Sequence, residues 1–113
     1  MTHDELDGVA VAPANHHVLF ENDEVRVLEI TIAAGTTTPV HTHRAPTVLY
    51  KLSGSQFVRR DDHGETLFDT RADPTFVLPR VSYNAPLPRH TIENIGDDDL
   101  VMIGVELKHP NGH

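Results

Sequence analysis

The sequence consists largely of short segments in which successive side chains alternate between two faces. In VRVLEITI (25–32), Leu28 and Ile30 fall on one face and Glu29 on the other, and LVMIGVEL (100–107) repeats the two-residue period. A period of two is that of a β-strand. No long window has apolar residues at the three-four spacing of an amphipathic helix. The chain is therefore predicted to be all-β.

Turn signals separate the remaining β-compatible segments. TVLYKL (47–52) and QFVRR (56–60) flank the turn SGS, which predicts a hairpin, and TFVL (75–78) predicts a short strand ended by Pro79. HTIENI (90–95) precedes the turn GDDD. Many short strands with regular turn signals indicate a β-sandwich or barrel.

The 113 residues suit one domain. Residues 17–108 are predicted to form it, with a loose arm at 1–16 and a tail at 109–113. The arm mixes acidic and small residues and could order by lying along a sheet edge.

Composition excludes several classes of function. The chain has no cysteine, so it has no disulfides, thiolate metal ligands or cysteine nucleophile. A formal charge of −8 disfavours nucleic acid and anionic lipid as partners. No apolar run is long enough to span a membrane. The acidic N-terminus lacks the basic start of a secretory signal, which predicts a cytoplasmic protein.

Histidine is the residue type that points to chemistry, since the chain has nine. On a strand, His41 and His43 would project to the same face, close enough to share one ion. Neutral imidazole is the commonest metal ligand of proteins. One His-x-His pair could still arise by chance among nine histidines. The others lie in terminal segments or a turn and are assigned no role: His3, His16, His17, His63, His109 and His113.

Further residues at fixed spacing surround the histidine pair. Gly35 lies six residues before His41 and Gly54 eleven after His43, and His90 is followed four residues later by an asparagine. This pattern resembles the cupin superfamily, in particular its small single-domain bacterial members, over about residues 18–107. The resemblance implies a conserved double-stranded β-helix (jelly-roll) barrel with His41, His43 and His90 as metal ligands.

Two departures from the cupin pattern affect the expected chemistry. Thr47 stands where the family has a glutamate ligand, and Pro86 and Pro88 crowd His90 in place of a glycine turn, which predicts a stiff, irregular loop. Without the glutamate, a bound divalent ion keeps a charge near +2 and an additional open position, so it is a stronger Lewis acid. Three protein ligands leave room for substrate and oxidant together, as in non-haem iron oxygenases.

The predicted function is a metal-dependent enzyme that acts on a small organic molecule, with an Fe(II) dioxygenase as the first candidate. Zinc, manganese and nickel remain alternatives to iron, and a zinc-bound water would favour hydrolysis. A non-enzymatic barrel that binds or senses a small ligand, with or without a structural metal, is the second hypothesis. A metal-free epimerase-like barrel is the third. A homodimer is expected, because exposed edge strands need cover and the resemblance implies pairing.

Four residues are candidates for a substrate pocket. If Thr47 faces inward, alternation points Lys51 inward too, although Lys51 is favoured to reach solvent at the strand's end. Tyr83 and Arg89 precede His90 and could line an opening or only cap a proline-rich turn.

Overall fold

The computed structural model describes residues 6–109 and contains nine strands. The helices are a four-residue turn, α1 (Gly8–Val11), and a 3-10 turn at Thr70–Ala72. No helix within residues 6–109 has the length and apolar character needed to cross a membrane. The strands are β1 (His16–Glu21), β2 (Val25–Ile32), β3 (His41–His43), β4 (Thr47–Ser53), β5 (Phe57–Asp61), β6 (Thr66–Asp69), β7 (Val81–Asn84), β8 (Leu87–Asn94) and β9 (Leu100–Leu107).

The strands form two antiparallel sheets, which confirms the all-β prediction. One sheet has the order β1-β2-β9-β4-β7 and the other β3-β8-β5-β6. The two buried clusters contain residues from inward-facing positions: Ile32, Phe57, Ile92 and Leu100 in one, and Leu28, Ile30 and Leu49 in the other. Burying each such side chain contributes about 1.5–3 kcal/mol. The same faces line a cavity.

The predicted hairpin between residues 47–52 and 56–60 is wrong. β4 pairs with β7 and β9, whereas β5 pairs with β6 and β8 in the other sheet. Gly54 lies between the two strands with φ +97°, and a Cβ there would approach the Leu100 Cα to 2.7 Å. Only glycine fits this backbone without strain. The chain therefore passes from one sheet to the other instead of folding back on its neighbour.

The strand predicted at 75–78 is also wrong. The Asp73 side chain accepts hydrogen bonds from the Thr75 N–H and hydroxyl, and the Phe76 N–H donates to the Asp73 carbonyl at 3.0 Å. Such a side-chain-stabilised turn competes with strand formation. The segment that joins the sheet is β7, beyond Pro79.

The segment predicted as a loose arm is folded in the part that the structure describes. Asp7 caps α1 and makes an ion pair with Arg26 at 2.9 Å. The Leu6 carbonyl accepts the Thr42 N–H at 2.7 Å. β1 begins at His16, so the sheet starts one residue before the predicted boundary. Residues 1–5, and 110–113 of the predicted tail, lie outside the described residues.

Candidate metal centre

A cavity of about 280 Å³ lies between the two sheets. Most of its wall is aliphatic or phenylalanine, contributed by alternate residues of the strands. Imidazoles, a carboxylate and hydroxyl groups are also present in the wall. The apolar wall includes Leu28, Ile30, Leu49, Phe57, Leu100 and Met102.

The three histidines singled out from the sequence lie together in this wall. His41 and His43 are on β3, and His90 on β8 is the register partner of His41. The ring centroids are 4.9 Å apart for His41 and His43, 4.3 Å for His41 and His90, and 5.6 Å for His43 and His90. His90 does not follow the irregular loop predicted from the prolines, because Pro88 is itself part of β8.

A fourth histidine, His16, joins the cluster although the sequence analysis gave it no role. Its ring centroid is 4.9 Å from that of His41 and 5.1 Å from that of His43. The ligand nitrogens of these three residues all lie within 4.8 Å of one another, so the three could hold one metal ion. His16 faces inward because it pairs in register with Ile30, an inward residue of β2. That pairing has no signature in the sequence.

Helix α1 covers the His16 ring. A Cβ on Gly8 would lie 2.9 Å from His16 Nε2, 3.0 Å from Cε1 and 3.1 Å from Cδ2. Three nearly equal distances place Gly8 over the ring face rather than in the ring plane. Since real Cβ contacts are longer, any larger residue at this position must displace the ring.

In three of the imidazole rings, a hydrogen bond determines which nitrogen carries the proton. Nδ1 lies 2.8 Å from the Pro39 carbonyl in His41, 2.7 Å from the Pro88 carbonyl in His90 and 3.1 Å from the Ala12 carbonyl in His16. A carbonyl only accepts, so Nδ1 is the donor. The Nε2 of each neutral ring therefore keeps its lone pair. Metal-binding histidines are oriented by this kind of bond.

Burial keeps these imidazoles neutral. Burial, with smaller contributions from neighbouring histidines, lowers the pKa of His41 to about 3 and the pKa of His16 and of His90 to about 4. The backbone hydrogen bonds oppose the shift but do not overcome it. A metal ion requires unprotonated imidazole. The donor set therefore fits a divalent metal ion.

A buried carboxylate, Glu106, adjoins His43 and was also missed from the sequence. Only 2% of Glu106 is exposed. Its Oε2 lies 3.5 Å from His43 Nδ1, and its Oε1 accepts a hydrogen bond from Arg26 Nε. Burial alone would raise the pKa of Glu106, but the bonds from His43 and Arg26 outweigh it and the pKa is lowered. Glu106 is therefore ionised and can orient the His43 ring.

Of the predicted pocket residues, only Thr47 lines the cavity, and its hydroxyl donates to the Ala45 carbonyl at 3.1 Å. Lys51 is half-buried and its Nζ donates to the Leu78 carbonyl at 3.0 Å. Tyr83 is 61% exposed on β7. Arg89 is exposed on β8, with Nη1 3.7 Å from an Asp62 carboxylate oxygen.

The side chains of Tyr83 and Arg89 point outward because strand alternation turns adjacent residues inward. Ser82 and Asn84, on either side of Tyr83, line the cavity. Arg59 on β5 lines it as well and was not singled out from the sequence.

Comparison with known proteins supports the fold. No protein-family model and no curated protein matches the sequence. A cupin domain from Bordetella pertussis Tohama I matches with a TM-score of 0.65 at 21% identity, over 82% of this chain and 91% of that one.

Two further solved structures show the same likeness. An RmlC-like cupin family protein with a double-stranded β-helix fold, from Methanocaldococcus jannaschii, has a TM-score of 0.60 at 19% identity, over 84% of this chain and 80% of that one. An RmlC-like cupin protein from Desulfovibrio desulfuricans has a TM-score of 0.51 at 19% identity, over 94% and 95%. The fold is that of the cupins, as the sequence resemblance implied.

Proposed function

We propose that this protein is a metal-dependent enzyme, specifically a dioxygenase, that acts on a small organic molecule held between the two sheets. The observation that carries the proposal is the shared orientation of the buried imidazoles. In three of them the carbonyl-bonded Nδ1 leaves Nε2 unprotonated, at the edge of an apolar cavity.

His41 and His43 are the central ligands in this proposal. With His16 they form the group whose ligand nitrogens all lie within 4.8 Å of one another, and with His90 they form the set that the cupin pattern implies. Iron, the favoured metal, would supply the redox and Lewis-acid chemistry that dioxygen activation requires.

The surrounding residues have defined tasks. Glu106 holds the His43 ring through Nδ1, and Arg26 holds Glu106 in turn. The small side chain of Thr47 leaves the wall open opposite Glu106, where a longer side chain would occupy the cavity. The largely apolar wall lowers the local dielectric, which strengthens electrostatic interactions with a bound substrate.

Metal analysis combined with oxygen uptake tests the proposal. Purified protein should contain close to one redox-active metal per chain, and His41→Ala should lose it. His63→Ala is the matched control, because the His63 side chain is 82% exposed in a turn outside the cluster. Equal loss in both variants would mean nonspecific binding.

The reaction itself is tested with a panel of small carbonyl compounds and thiols under isotopically labelled dioxygen. The proposed reaction would place both atoms of one dioxygen in each product molecule and would need no external reductant. Metal occupancy and substrate binding without oxygen consumption would instead support the binding-barrel alternative.

A further inference from the structure

The Arg59 guanidinium has no hydrogen-bond acceptor and no ion-pair partner among the residues that the structure describes. Arg59 lines the cavity, its Nε is buried without a hydrogen-bond acceptor, and its side chain makes no ion pair within residues 6–109. Its nearest aromatic contact is Phe57, whose ring centroid lies 5.7 Å from Cζ. A desolvated charge without a counterion is costly, so a protein retains one only where something compensates it.

The carboxylates near this strand are all engaged elsewhere. Glu106 is the one carboxylate among the cavity-lining residues of the described chain, and its two oxygens face Arg26 and His43. Asp61, two residues along β5, accepts backbone N–H groups of the following turn. The cavity wall therefore presents a positive charge that no protein group neutralises.

Arg59 shares the cavity with the histidine cluster. It pairs in register with Ile92, and His90 lies two residues away on the same face of β8. The charge of Arg59 contributes to lowering the pKa of His90, which places the two groups within electrostatic reach. A ligand that pairs with Arg59 would lie beside the candidate metal ligands.

The rest of the adjoining wall is apolar. Phe57 contacts Phe68 with ring centroids 5.6 Å apart, and Phe68 contacts Phe76 at 5.5 Å. These rings extend from the interior to Phe68, which is partly exposed. The cavity volume of about 280 Å³ is just below the usual range for ligand pockets, which favours a small ligand.

We propose that the cavity binds a small organic anion, a carboxylate attached to an apolar body, and that Arg59 is the residue that anchors the carboxylate. The planar fork of a guanidinium matches a carboxylate in two parallel charge-assisted hydrogen bonds. The phenylalanines contact the apolar body. Such an anion would be the substrate class of the enzyme proposed above, and in that respect the inference rests on the proposed function. Binding of the anion itself needs no metal.

Calorimetric titration of the full-length, metal-free protein tests the proposal. Phenylacetate and its neutral analogue phenylacetamide serve as probes, because they share shape and apolar body and differ in charge. Phenylacetate should bind about 10- to 100-fold more tightly, the range expected for hydrogen bonds to a charged group. Equal affinity for the two probes, or no binding of phenylacetate at millimolar concentration, would overturn the proposal.

Variants of two neighbouring arginines on β5 test which residue is responsible for the preference for the anion. Arg59→Met should remove the preference for phenylacetate while phenylacetamide still binds, and Arg59→Lys should restore part of it. Arg60→Met is the matched control, since Arg60 is adjacent but pairs with Glu93 at 2.8 Å. Persistence of the preference in Arg59→Met would mean that another group binds the anion.

Thermal unfolding separates loss of binding from loss of folding. Arg59→Met should raise the midpoint of the apo protein, because it removes an unpaired, partly buried charge, whereas a structural arginine would lower it. The outcome is independent of the metal hypothesis. If the protein binds the anion but no metal, the anion-binding proposal stands and the enzyme proposal fails. If it binds metal but does not prefer the carboxylate, the enzyme proposal stands with a neutral substrate.

Discussion

The metal-free protein should lose stability in mild acid, between about pH 6.5 and pH 4. Burial lowers the pKa of His41 to about 3 and that of His16 and His90 to about 4, whereas a histidine in the unfolded chain titrates near 6.5. In this window the unfolded state binds more protons than the native state, so the free energy of unfolding falls as pH falls. Above the unfolded value both states are neutral and the effect vanishes.

The size of the effect follows from the same values. At about pH 5.5, one unit below the unfolded pKa, each buried neutral histidine costs about 1.4 kcal/mol. His16, His41 and His90 together give about 4 kcal/mol, a large part of the roughly 5–15 kcal/mol stability of a typical domain. Glu106 does not contribute here, because its pKa is lowered from an ordinary value that already lies below this pH.

Urea denaturation of chelator-treated protein, followed by circular dichroism, measures the loss. With a slope of about 2 kcal/mol per molar urea, the midpoint should fall by about 2 M between about pH 7.5 and pH 5.5. His16→Gln should reduce the fall by about a third, whereas His63→Gln in the exposed turn should leave it unchanged. An unchanged midpoint across this range would show that the cluster accepts protons in the native state, which refutes the reasoning.

The remaining predictions concern the site and the surface. Gly8→Val should displace the His16 ring and weaken metal retention without unfolding the barrel, as metal analysis and circular dichroism together would reveal. Glu106→Gln should lower metal affinity about 10- to 100-fold in a competitive chelator titration, the usual effect of removing a group that orients a metal-binding histidine. Thr47→Glu should raise metal retention and reduce oxygen uptake; no change in either would mean that position 47 does not face the ion. The protein should be a homodimer whose light-scattering mass is near twice the 12.5 kDa of the chain, and Tyr83→Glu on the exposed apolar face of β7 should return it to that monomer mass.

The two strands predicted with both ends correct have mostly buried residues at alternate positions. β2 and β9 match the predicted ranges 25–32 and 100–107 at both ends. β1 was missed because it is exposed at every position after His16, so pairing with β2 rather than side-chain patterning makes it a strand. The hairpin prediction was wrong because strand pairing, too, is not encoded locally. A turn signal does not determine which sheet the chain enters next.

The spacing that resembles the cupin motif singled out His41, His43 and His90, whose rings adjoin one another in the cavity wall, but the ligand nitrogens within 4.8 Å of one another belong to His16, His41 and His43. His16 could not be found in this way, because its position depends on register with Ile30 and on a glycine over its ring. Arg59 gave no signal either, since an arginine on a strand is usually solvent-exposed. Residues whose roles arise from long-range pairing are invisible to local patterns.

Glu106 explains how the site can lack the expected glutamate and still contain a carboxylate. Thr47 on β4, where the cupin pattern would have that glutamate, is the register partner of Glu106 on β9. Directly paired residues of antiparallel strands have Cβ atoms about 4.5–5.5 Å apart, so the Glu106 side chain begins one strand away from position 47. From β9 it contacts His43 and Arg26, and the hydrogen bond to Arg26 commits one of its oxygens.

A Thr47→Glu variant would therefore add a second carboxylate beside the first, and like charges directly opposite are destabilising. Binding of a divalent ion would relieve this repulsion, so metal should stabilise the variant against unfolding more than it stabilises the wild-type protein.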